Sequence, residues 1–346
     1  MKADKAYCMS SYLTYRYVAD PEKVFKEGVP HVEHDCVPAG EKQPCKTAED
    51  IDRQIKRVLS QYDLSHAGLF LSGGMDSAIL ASYLPKGAKA YTARCVGTGA
   101  VDETERAAEY CAHNGLEHVI VDVSWDDYKR TMDRLMLHDG CPITPNEPQS
   151  FALASKAKED GVDLLLYGDC ADTEFGGMSK LISKDWTFEE FVHRFTFCEP
   201  KDVLKHPADV REVYEKFRTG ADTIDFVSFV AGPYAVSASS AYTNAIKTVG
   251  LKFVDPYEHC CMDGPLDLAR IRRGDTKYLI RDIFRMKYPD LPVPEKLPMS
   301  RPADAWMKDW EGPTRDEFLP GCAKSLTGEQ KLLVYSLERF LNLIDA

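Results

Sequence analysis

Apolar and polar positions along the first half of the chain fall into blocks that predict strands and helices in alternation. Four short runs are largely apolar on both faces and predict strands: AGLFL (67–71), KAYTARCV (89–96), HVIVDV (118–123) and VDLLLYG (162–168). The segments between them predict helices: SAILASYL (77–84), ETERAAEYCAHNG (103–115), WDDYKRTMDRLMLH (125–138) and QSFALASKAKEDG (149–161). Such an alternation is typical of an α/β fold in which helices cover both sides of a parallel sheet.

The two ends of the chain follow other patterns. Residues 1–46 predict a loop-rich, linker-like segment whose only strand-like piece is YLTYRYV (12–18). Residues 48–62 have apolar side chains at helical spacing and predict an amphipathic helix. Beyond about residue 180 the pattern is mainly helical. The sequence therefore predicts an N-terminal segment (1–46), an α/β core (47–180) and a mainly helical part (181–346).

Composition and charge exclude several classes of protein. Of the 346 residues, 44% are hydrophobic and 28% are charged, which is ordinary for a globular protein with a sizeable core. The net charge of −12 argues against binding to a long nucleic acid, because phosphate contacts require a basic surface. No run of about 18 apolar residues predicts a membrane span, and the eleven cysteines show no CxxC spacing. We therefore expect a cytoplasmic protein with free thiols, including the adjacent Cys260 and Cys261.

The segment SGGMDS (72–77), between the first of these strands and its helix, carries the most specific pattern in the chain. Gly73 and Gly74 permit positive φ values and a close approach of the backbone to a ligand. The first-turn amides of the helix favour an anion, to which the hydroxyls of Ser72 and Ser77 would donate. Asp76 would repel a phosphate unless Mg²⁺ lay between them. The segment therefore predicts a phosphate-binding loop that holds Mg²⁺.

A second acidic segment, GDCADTEFGG (168–177), follows another predicted strand. Ligands of parallel α/β sheets sit at the carboxyl ends of the strands, so both segments are expected at one edge of the sheet. Asp172 is then the natural second ligand for Mg²⁺. The first loop lacks the lysine of the GxxxxGK[ST] pattern, so transfer of a γ-phosphoryl group is not expected. For either segment alone, the structural alternative is a turn without a ligand.

With these motifs in hand, the chain resembles the synthetase domain of the class B asparagine synthetases, which are related to the β-lactam synthetases and belong to the ATP pyrophosphatase superfamily. The resemblance runs in order from about residue 48 to 310, through SGGMDSAILA, KAYTARC, DETERAAEYCAHNGLEHVIVDV, GDCADTEFGG, AYTNAIKTVGLKFVDPYEHCCMDGPLDLARI and TKYLIRDIFRMKYPDLPVPEK. It implies an adenine nucleotide α-hydrolase-like (PP-loop) fold with ATP and Mg²⁺ as cofactors. Lys2 stands where the family's glutaminase domain has its catalytic cysteine, so a synthetase domain without the glutaminase is expected.

The resemblance also implies roles for single residues. Pyrophosphate and metal would be bound by residues of both acidic segments: Ser72, Gly73, Gly74, Asp76, Ser77 and Asp172. The nucleotide would contact four residues near the strand ends: Phe70, Leu71, Ala93 and Gly168. Lys296 aligns with the lysine that stabilises charge on the phosphates as the adenylate forms and breaks down; its structural alternative is an exposed loop lysine. Lys277 and Arg281, four residues apart on a predicted helix, are expected at the surface or in a structural role.

Two departures from the family bear on the acceptor chemistry. Where family asparagine synthetases have GEGSDE, this chain has Asp169 in place of the first glutamate and Thr173 in place of the second. In β-lactam synthetases the position of Asp169 is a tyrosine of a base dyad. A carboxylate there favours an enzyme that deprotonates an amine, which makes Asp169 the candidate acid–base group. Further candidates for the acceptor pocket, each of a type that commonly caps helices or turns, are Asn244, Asp255 and Glu258.

We therefore expect an ATP-dependent amide synthetase that adenylates a carboxylate, releases pyrophosphate and transfers ammonia or a small amine with release of AMP. The expected partners are these small molecules, with free ammonia, a separate glutaminase or an amine on the substrate itself as the nitrogen source. A homodimer is an alternative to a monomer. Two other hypotheses stay open: a β-lactam synthetase-like enzyme that forms an amide within one substrate, and a non-catalytic nucleotide-binding subunit. A tRNA-modifying pyrophosphatase is disfavoured by the net charge of −12 and by the missing CxxC pairs.

Overall fold

The computed structural model describes residues 1–32, 36–297 and 301–346. Its strands are β1 (Lys2–Ala3), β2 (Lys23–Val24), β3 (Gln43–Cys45), β4 (Ala67–Phe70), β5 (Lys89–Cys95), β6 (Glu117–Val123), β7 (Leu164–Leu166), β8 (Lys252–Val254) and β9 (Cys260–Met262). Its α-helices are α1 (Lys5–Tyr15), α2 (Ala48–Leu59), α3 (Met75–Ala81), α4 (Thr104–Asn114), α5 (Trp125–Asp139), α6 (Glu147–Glu159), α7 (Cys170–Glu174), α8 (Phe188–Phe195), α9 (Pro200–Val203), α10 (Glu212–Glu215), α11 (Phe226–Phe229), α12 (Ala235–Val249), α13 (Leu268–Arg272), α14 (Tyr278–Lys287), α15 (Ala303–Trp306) and α16 (Gly328–Asp345). A π-helical segment, Val230–Tyr234, joins α11 to α12.

Five parallel strands form the central sheet, in the order β6-β5-β4-β7-β8. Every residue of β4 and of β7 is buried, which is expected for central strands because successive side chains point to opposite faces. The edge strand β6 leaves several of its positions exposed. The other edge strand, β8, pairs Lys252 with Leu164 of β7 and was not foreseen from the sequence.

Helices cover both faces of this sheet. On one face, Phe70 and Leu165 pack with residues of α6 and α12 in one apolar cluster. On the other face, Leu69 and Leu164 pack with residues of α3 and α4 in a second, larger cluster. The predicted α/β fold, a parallel sheet sandwiched by helices, is therefore confirmed. The chain that follows α7 is mainly helical, as expected.

The N-terminal segment departs from its sequence-based description. Residues 12–15 of the predicted strand belong to the helix α1, which begins at the side-chain cap Asp4 and ends at Arg16, where φ is +70°. The residues from Tyr7 to Tyr15 are all buried, so the helix is buried around its whole circumference. A helix of this kind has no amphipathic period. Its aromatic residues are of a type enriched in strands, so its sequence pattern resembles that of a strand. The strand predicted over 12–18 is therefore wrong.

Two smaller expectations concern membranes and thiols. Among residues 1–32, 36–297 and 301–346, every helix is too short or too polar to cross a bilayer. Cys260 is buried and Cys261 half-buried, and the two do not form a disulfide with each other. Both side chains therefore remain thiols, as the sequence predicts.

Candidate active site

The loops that follow β4 and β7 meet at the carboxyl edge of the sheet. The two strands are neighbours, and their register pairs Leu69 with Leu166 at the carboxyl end. The loop of residues 71–74 leads from β4 into α3, and the loop of residues 167–169 leads from β7 into α7. The two acidic segments therefore lie side by side, in the arrangement expected for a ligand site of a parallel sheet.

The loop of residues 71–74 is held by hydrogen bonds from serine hydroxyls and from a neighbouring strand. The hydroxyl of Ser77 accepts the amide of Ser72 at 3.0 Å, and the two serine hydroxyls lie 3.0 Å apart. Ser72 Oγ in turn accepts the amide of Gly74 at 3.1 Å. At the base of the loop, the hydroxyl of Thr92 donates to the carbonyl of Leu71 at 2.7 Å. The serines thus fix the shape of the loop, and their contacts with phosphate stay a prediction.

Crowding by α4, rather than backbone conformation, explains the glycine at position 73 of this loop. Neither Gly73 nor Gly74 has a positive φ, and Gly74 is extended at φ −87° and ψ 158°, so the loop does not use the positive φ that glycine permits. A Cβ on Gly73 would lie 3.2 Å from Cβ of Glu103 and 3.3 Å from Cδ of Arg106. The guanidinium of Arg106 donates to the carbonyls of Gly73 at 3.3 Å and of Glu295 at 3.0 Å. These contacts connect the loop to α4 and to the chain around residue 295.

A buried lysine, Lys277, lies between the two predicted metal ligands. Its side chain is 4% exposed, and its ammonium pairs with Oδ2 of Asp76 and lies 2.6 Å from Oδ1 of Asp172. Burial by itself lowers the pKa of Lys277, but the two carboxylates raise it well above its ordinary value. Arg281, one turn further on, donates to the carbonyl of Thr276 at 2.7 Å and supports the chain that leads to Lys277. Of the two roles expected for Lys277, a surface or a structural one, the surface position is therefore wrong.

Lys296 contacts the other oxygen of Asp172. Its Nζ lies 2.7 Å from Oδ2 of that residue and 3.2 Å from the carbonyl of Gly177. The side chain of Lys296 is 56% exposed, so this ammonium is accessible from solvent. Burial favours the protonated form of Asp172, but Lys277 and Lys296 outweigh it and lower the pKa of Asp172 to about 2. The structure thus brings Asp76, Asp172 and Lys296 together at one edge.

Asp169 lies in the loop after β7 and is half-buried. Its backbone amide and that of Cys170 donate to Oδ2 of Asp255 at 2.9 and 2.8 Å. Its own Oδ2 is buried and has no hydrogen-bond partner in the described part of the chain. Burial, together with the charges of Asp255 and Asp172, raises the pKa of Asp169 to about 8. A carboxyl group with this pKa can exchange a proton near neutral pH, which is what the acid–base prediction requires.

Asp255 supports the loop that carries Asp169. Its Oδ1 accepts the amide of Tyr257 at 2.9 Å, and burial raises its own pKa to about 7. The hydroxyl of Tyr257 donates to the carbonyl of Asp76 at 2.9 Å, so the two acidic segments are linked through this corner. Asp255 therefore acts as a turn cap, which was the structural alternative for it. The side chains of Asn244 and Glu258 are likewise bonded to other protein groups.

The residues predicted to contact the nucleotide lie around the same edge. Phe70 ends β4 and Ala93 lies in β5, and both pack in the apolar cluster that includes α6 and α12. Leu71 continues the strand pairing, since its amide donates to a carbonyl of β5 at 2.9 Å. At Gly168 a Cβ would lie 3.0 Å from the ring of Tyr257, so a side chain would crowd the loop. Contacts of these residues with adenine or ribose stay a prediction.

The two carboxylates fit a hard cation. Oδ1 of Asp76 is buried and has no hydrogen-bond partner among the described residues, so one oxygen is left for a ligand. Burial raises the pKa of Asp76, because Lys277 offsets only part of the desolvation. Outside the two undescribed gaps, no group of three His, Cys, Asp or Glu side chains converges where a metal ion could sit. Asp76 and Asp172 would therefore hold Mg²⁺ only with further oxygens from phosphate or water.

Replacing Gly177 with alanine is expected to lower the free energy of unfolding by about 1–3 kcal/mol. A Cβ at this position would lie 2.0 Å from Oδ1 of Asp172 and 2.8 Å from Cδ of Lys277, so both side chains would have to move. Urea denaturation of the purified variant measures the loss. Gly40→Ala is the matched control, since a Cβ there meets no atom within 4 Å. Equal unfolding free energies for the two variants would contradict the tight packing of Gly177.

Comparison with known proteins relates the sequence of this chain to one family. Residues 50–241, more than half of the chain, match the model of the asparagine synthase family. No curated protein matches the chain. The matched range contains both acidic segments, and members of the family are ATP-using carbon–nitrogen ligases. The chain therefore belongs to the asparagine synthase family, a family of ATP-dependent amide synthetases.

Proposed function

We propose that this chain adenylates a small carboxylate with ATP and then transfers ammonia or a small amine to the activated acyl group. The observation that carries the proposal is the cluster at the carboxyl edge of the sheet, where two carboxylates and two lysines lie beside the serine- and glycine-rich loop. Lys277 pairs with Asp76 and Asp172, and Lys296 pairs with Asp172. Such a concentration of charge at a strand-to-helix loop supports binding of a triphosphate.

The proposed reaction has two steps. In the first, a carboxylate oxygen of the acid attacks the α-phosphorus of ATP, the bond from that phosphorus to the bridging oxygen breaks, and pyrophosphate leaves. In the second, the amine nitrogen attacks the acyl carbon, the acyl–oxygen bond breaks, and AMP leaves as the amine gives up a proton. Mg²⁺ bound with the triphosphate would neutralise the charge of the departing pyrophosphate.

Lys296 is the residue proposed to stabilise charge on the phosphates. Its ammonium is held at 2.7 Å from Asp172 and 3.2 Å from the carbonyl of Gly177, while more than half of the side chain is open to solvent. An ammonium fixed in this way is preorganised toward a ligand at the edge of the sheet. Preorganised charge of this type contributes strongly to rate, because it does not have to reorganise when charge develops in the transition state.

Asp169 is the residue proposed to take the proton from the amine. Its carboxyl oxygen Oδ2 is buried and lacks a partner among the described residues, and its pKa is raised to about 8 by burial and neighbouring carboxylates. Near neutral pH such a group is poised between its acid and base forms, which suits general acid–base catalysis. The nearby Asp255 fixes the backbone of Asp169 through two amide hydrogen bonds, at 2.9 and 2.8 Å, and so orients the carboxyl group.

The proposal is tested by measuring AMP and pyrophosphate release from Mg²⁺-ATP with a panel of carboxylates led by aspartate. Each acid is assayed with ammonium, with glutamine and without a nitrogen source, and the molecular mass of the product is measured by mass spectrometry. We expect AMP and pyrophosphate in equal amounts with one acid, and a product whose mass corresponds to its amide. If AMP is released with ammonium but not with glutamine, this would support the use of free ammonia or of a separate glutaminase.

Other outcomes would support the competing hypotheses. A product lighter than its acid by one water, formed without added nitrogen, would indicate an amide formed within one substrate, as in β-lactam synthetases. Binding of ATP without AMP release for every acid would favour a non-catalytic nucleotide-binding subunit. Release of ADP and phosphate in place of AMP and pyrophosphate would contradict the proposed adenylation.

A further inference from the structure

The backbone of Lys277 adopts a conformation that is unusual for this residue type. It has φ +50° and ψ 42°, in the left-handed region, directly before α14. For a residue with a side chain this conformation is strained and persists only where the surrounding structure enforces it. With the backbone in this conformation, the ammonium of Lys277 lies between Asp76 and Asp172, and the side chain is only 4% exposed.

The packing around Lys277 leaves little room for a second cation. The ammonium pairs with one oxygen of Asp76 and lies 2.6 Å from one oxygen of Asp172. The backbone of Gly177 closes one side, because even a single added carbon there would come within 2.8 Å of Cδ of Lys277. The ammonium therefore occupies the position between the two carboxylates where a shared divalent cation would have to bind.

The charges of the cluster balance without a metal ion. Asp76 and Asp172 supply two negative charges, and Lys277 and Lys296 supply two positive charges. A divalent cation entering by itself would have to displace Lys277, whose buried ammonium would then lose both partners. A buried charge without a partner is strongly destabilising, which opposes entry of the free cation. A triphosphate changes this balance, because its oxygens can accept the displaced ammonium and complete the coordination of the cation.

We propose that Lys277 excludes free divalent cations from the Asp76–Asp172 pair, so that the cation enters only together with a nucleoside triphosphate, whose oxygens then accept the lysine ammonium. Lys277 is a positioning residue in this scheme, since it holds the two carboxylates ready for the cation. The proposal rests on the assignment of this edge as the ATP site, but it does not depend on which acid is adenylated.

The experiment measures Mn²⁺ binding by electron paramagnetic resonance, with and without an ATP analogue whose α- and β-phosphates are joined through a methylene group. For the wild-type chain we expect tight Mn²⁺ binding only with the analogue. For Lys277→Met we expect Mn²⁺ binding without the analogue to become about tenfold to hundredfold tighter than in the wild type. Lys277→Arg keeps the positive charge and is the matched control, in which free Mn²⁺ should still be excluded.

Thermal unfolding gives a second readout that does not depend on the analogue. Mn²⁺ alone should raise the melting temperature of Lys277→Met, whose two carboxylates lack their cation, and should leave that of the wild type unchanged. If Lys277→Met does not fold, the wild-type titration decides the question. Wild-type binding of Mn²⁺ that is equally tight with and without the analogue overturns the proposal.

The outcomes also separate this proposal from the proposed function. Mn²⁺ binding that requires the analogue, in a chain that forms no AMP with any acid, supports the role of Lys277 and contradicts the amide synthetase activity. A wild-type chain that binds no analogue, with or without Mn²⁺, overturns both, because the edge of the sheet is then not an ATP site.

Discussion

Lys296→Met is expected to lower kcat for AMP formation by about 10²–10³-fold while the protein remains folded. The ammonium of Lys296 is the exposed charge of the cluster, fixed by Asp172 and Gly177, and it can reach a ligand that lies on the edge of the sheet. Its removal leaves Asp172 paired with Lys277, so no buried charge is stranded. Steady-state kinetics at saturating ATP, with the acid identified by the panel, measures the loss.

A matched lysine separates this effect from a general effect of charge. Lys324→Met removes an exposed lysine from the 3₁₀ helix Cys322–Ser325 and should retain wild-type kcat. Circular dichroism of both variants shows whether the fold is kept. If Lys296→Met turns over as fast as Lys324→Met, charge stabilisation by Lys296 is not part of the mechanism.

Asp169→Asn is expected to lower the rate of amide formation by about 10²–10⁴-fold and to abolish its rise with pH. A base must be deprotonated to act, and the pKa of Asp169 is raised to about 8 by burial and by neighbouring carboxylates. The wild-type rate should therefore increase as pH rises toward about 8 and level off above it. Single-turnover mixing of the preformed adenylate with amine, at constant free-amine concentration, isolates this step. A wild-type profile that is flat through this range would exclude Asp169 as the base.

The same substitution should change how stability depends on pH. The folded protein keeps a proton on Asp169 that the unfolded chain releases between the ordinary pKa of 3.8 and the raised pKa of about 8. Stability of the wild type therefore falls as pH rises through this window, whereas asparagine cannot ionise and removes this contribution. Urea denaturation at about pH 5 and pH 8 compares the two proteins. If the wild type and Asp169→Asn lose the same stability between these two pH values, Asp169 is not the group that keeps a proton in the folded protein.

The alternating elements of the first half were predicted from local pattern because their apolar residues repeat with a clear period. The strand predicted at 89–96 forms β5 at Lys89–Cys95, and the helix predicted at 125–138 forms α5 at Trp125–Asp139. A strand that is apolar on both faces can be satisfied only inside a covered sheet, so these runs also determined the fold class. They determined the edge on which Asp76 and Asp172 meet, because neighbouring parallel strands end on the same side.

The local sequence pattern did not predict the structure where an element is completely buried, or where the important contact is made by a distant part of the chain. The helix α1 is buried all round, so its sequence has no polar face from which a helical period could be recognised. An added Cβ on Gly73, in the loop after β4, would be crowded by Glu103 and Arg106, and the sequence of the loop gives no sign of this contact with α4. The strand β8 contributes only Lys252–Val254, a run too short to be distinguished by its alternation.

The sequence by itself determined the parallel α/β core, the family resemblance and the edge at which the charged residues gather. Only the tertiary structure decided that Lys277 stands between the two carboxylates, because its position depends on the packing of α14 against α2 and α3 rather than on its own neighbours in the chain. The raised pKa of Asp169 was decided in the same way, since enclosure and nearby charges, not residue type, set the proton affinity of a carboxyl group. Periodicity reports which faces are buried, whereas the electrostatics of a site depend on which charges are buried together.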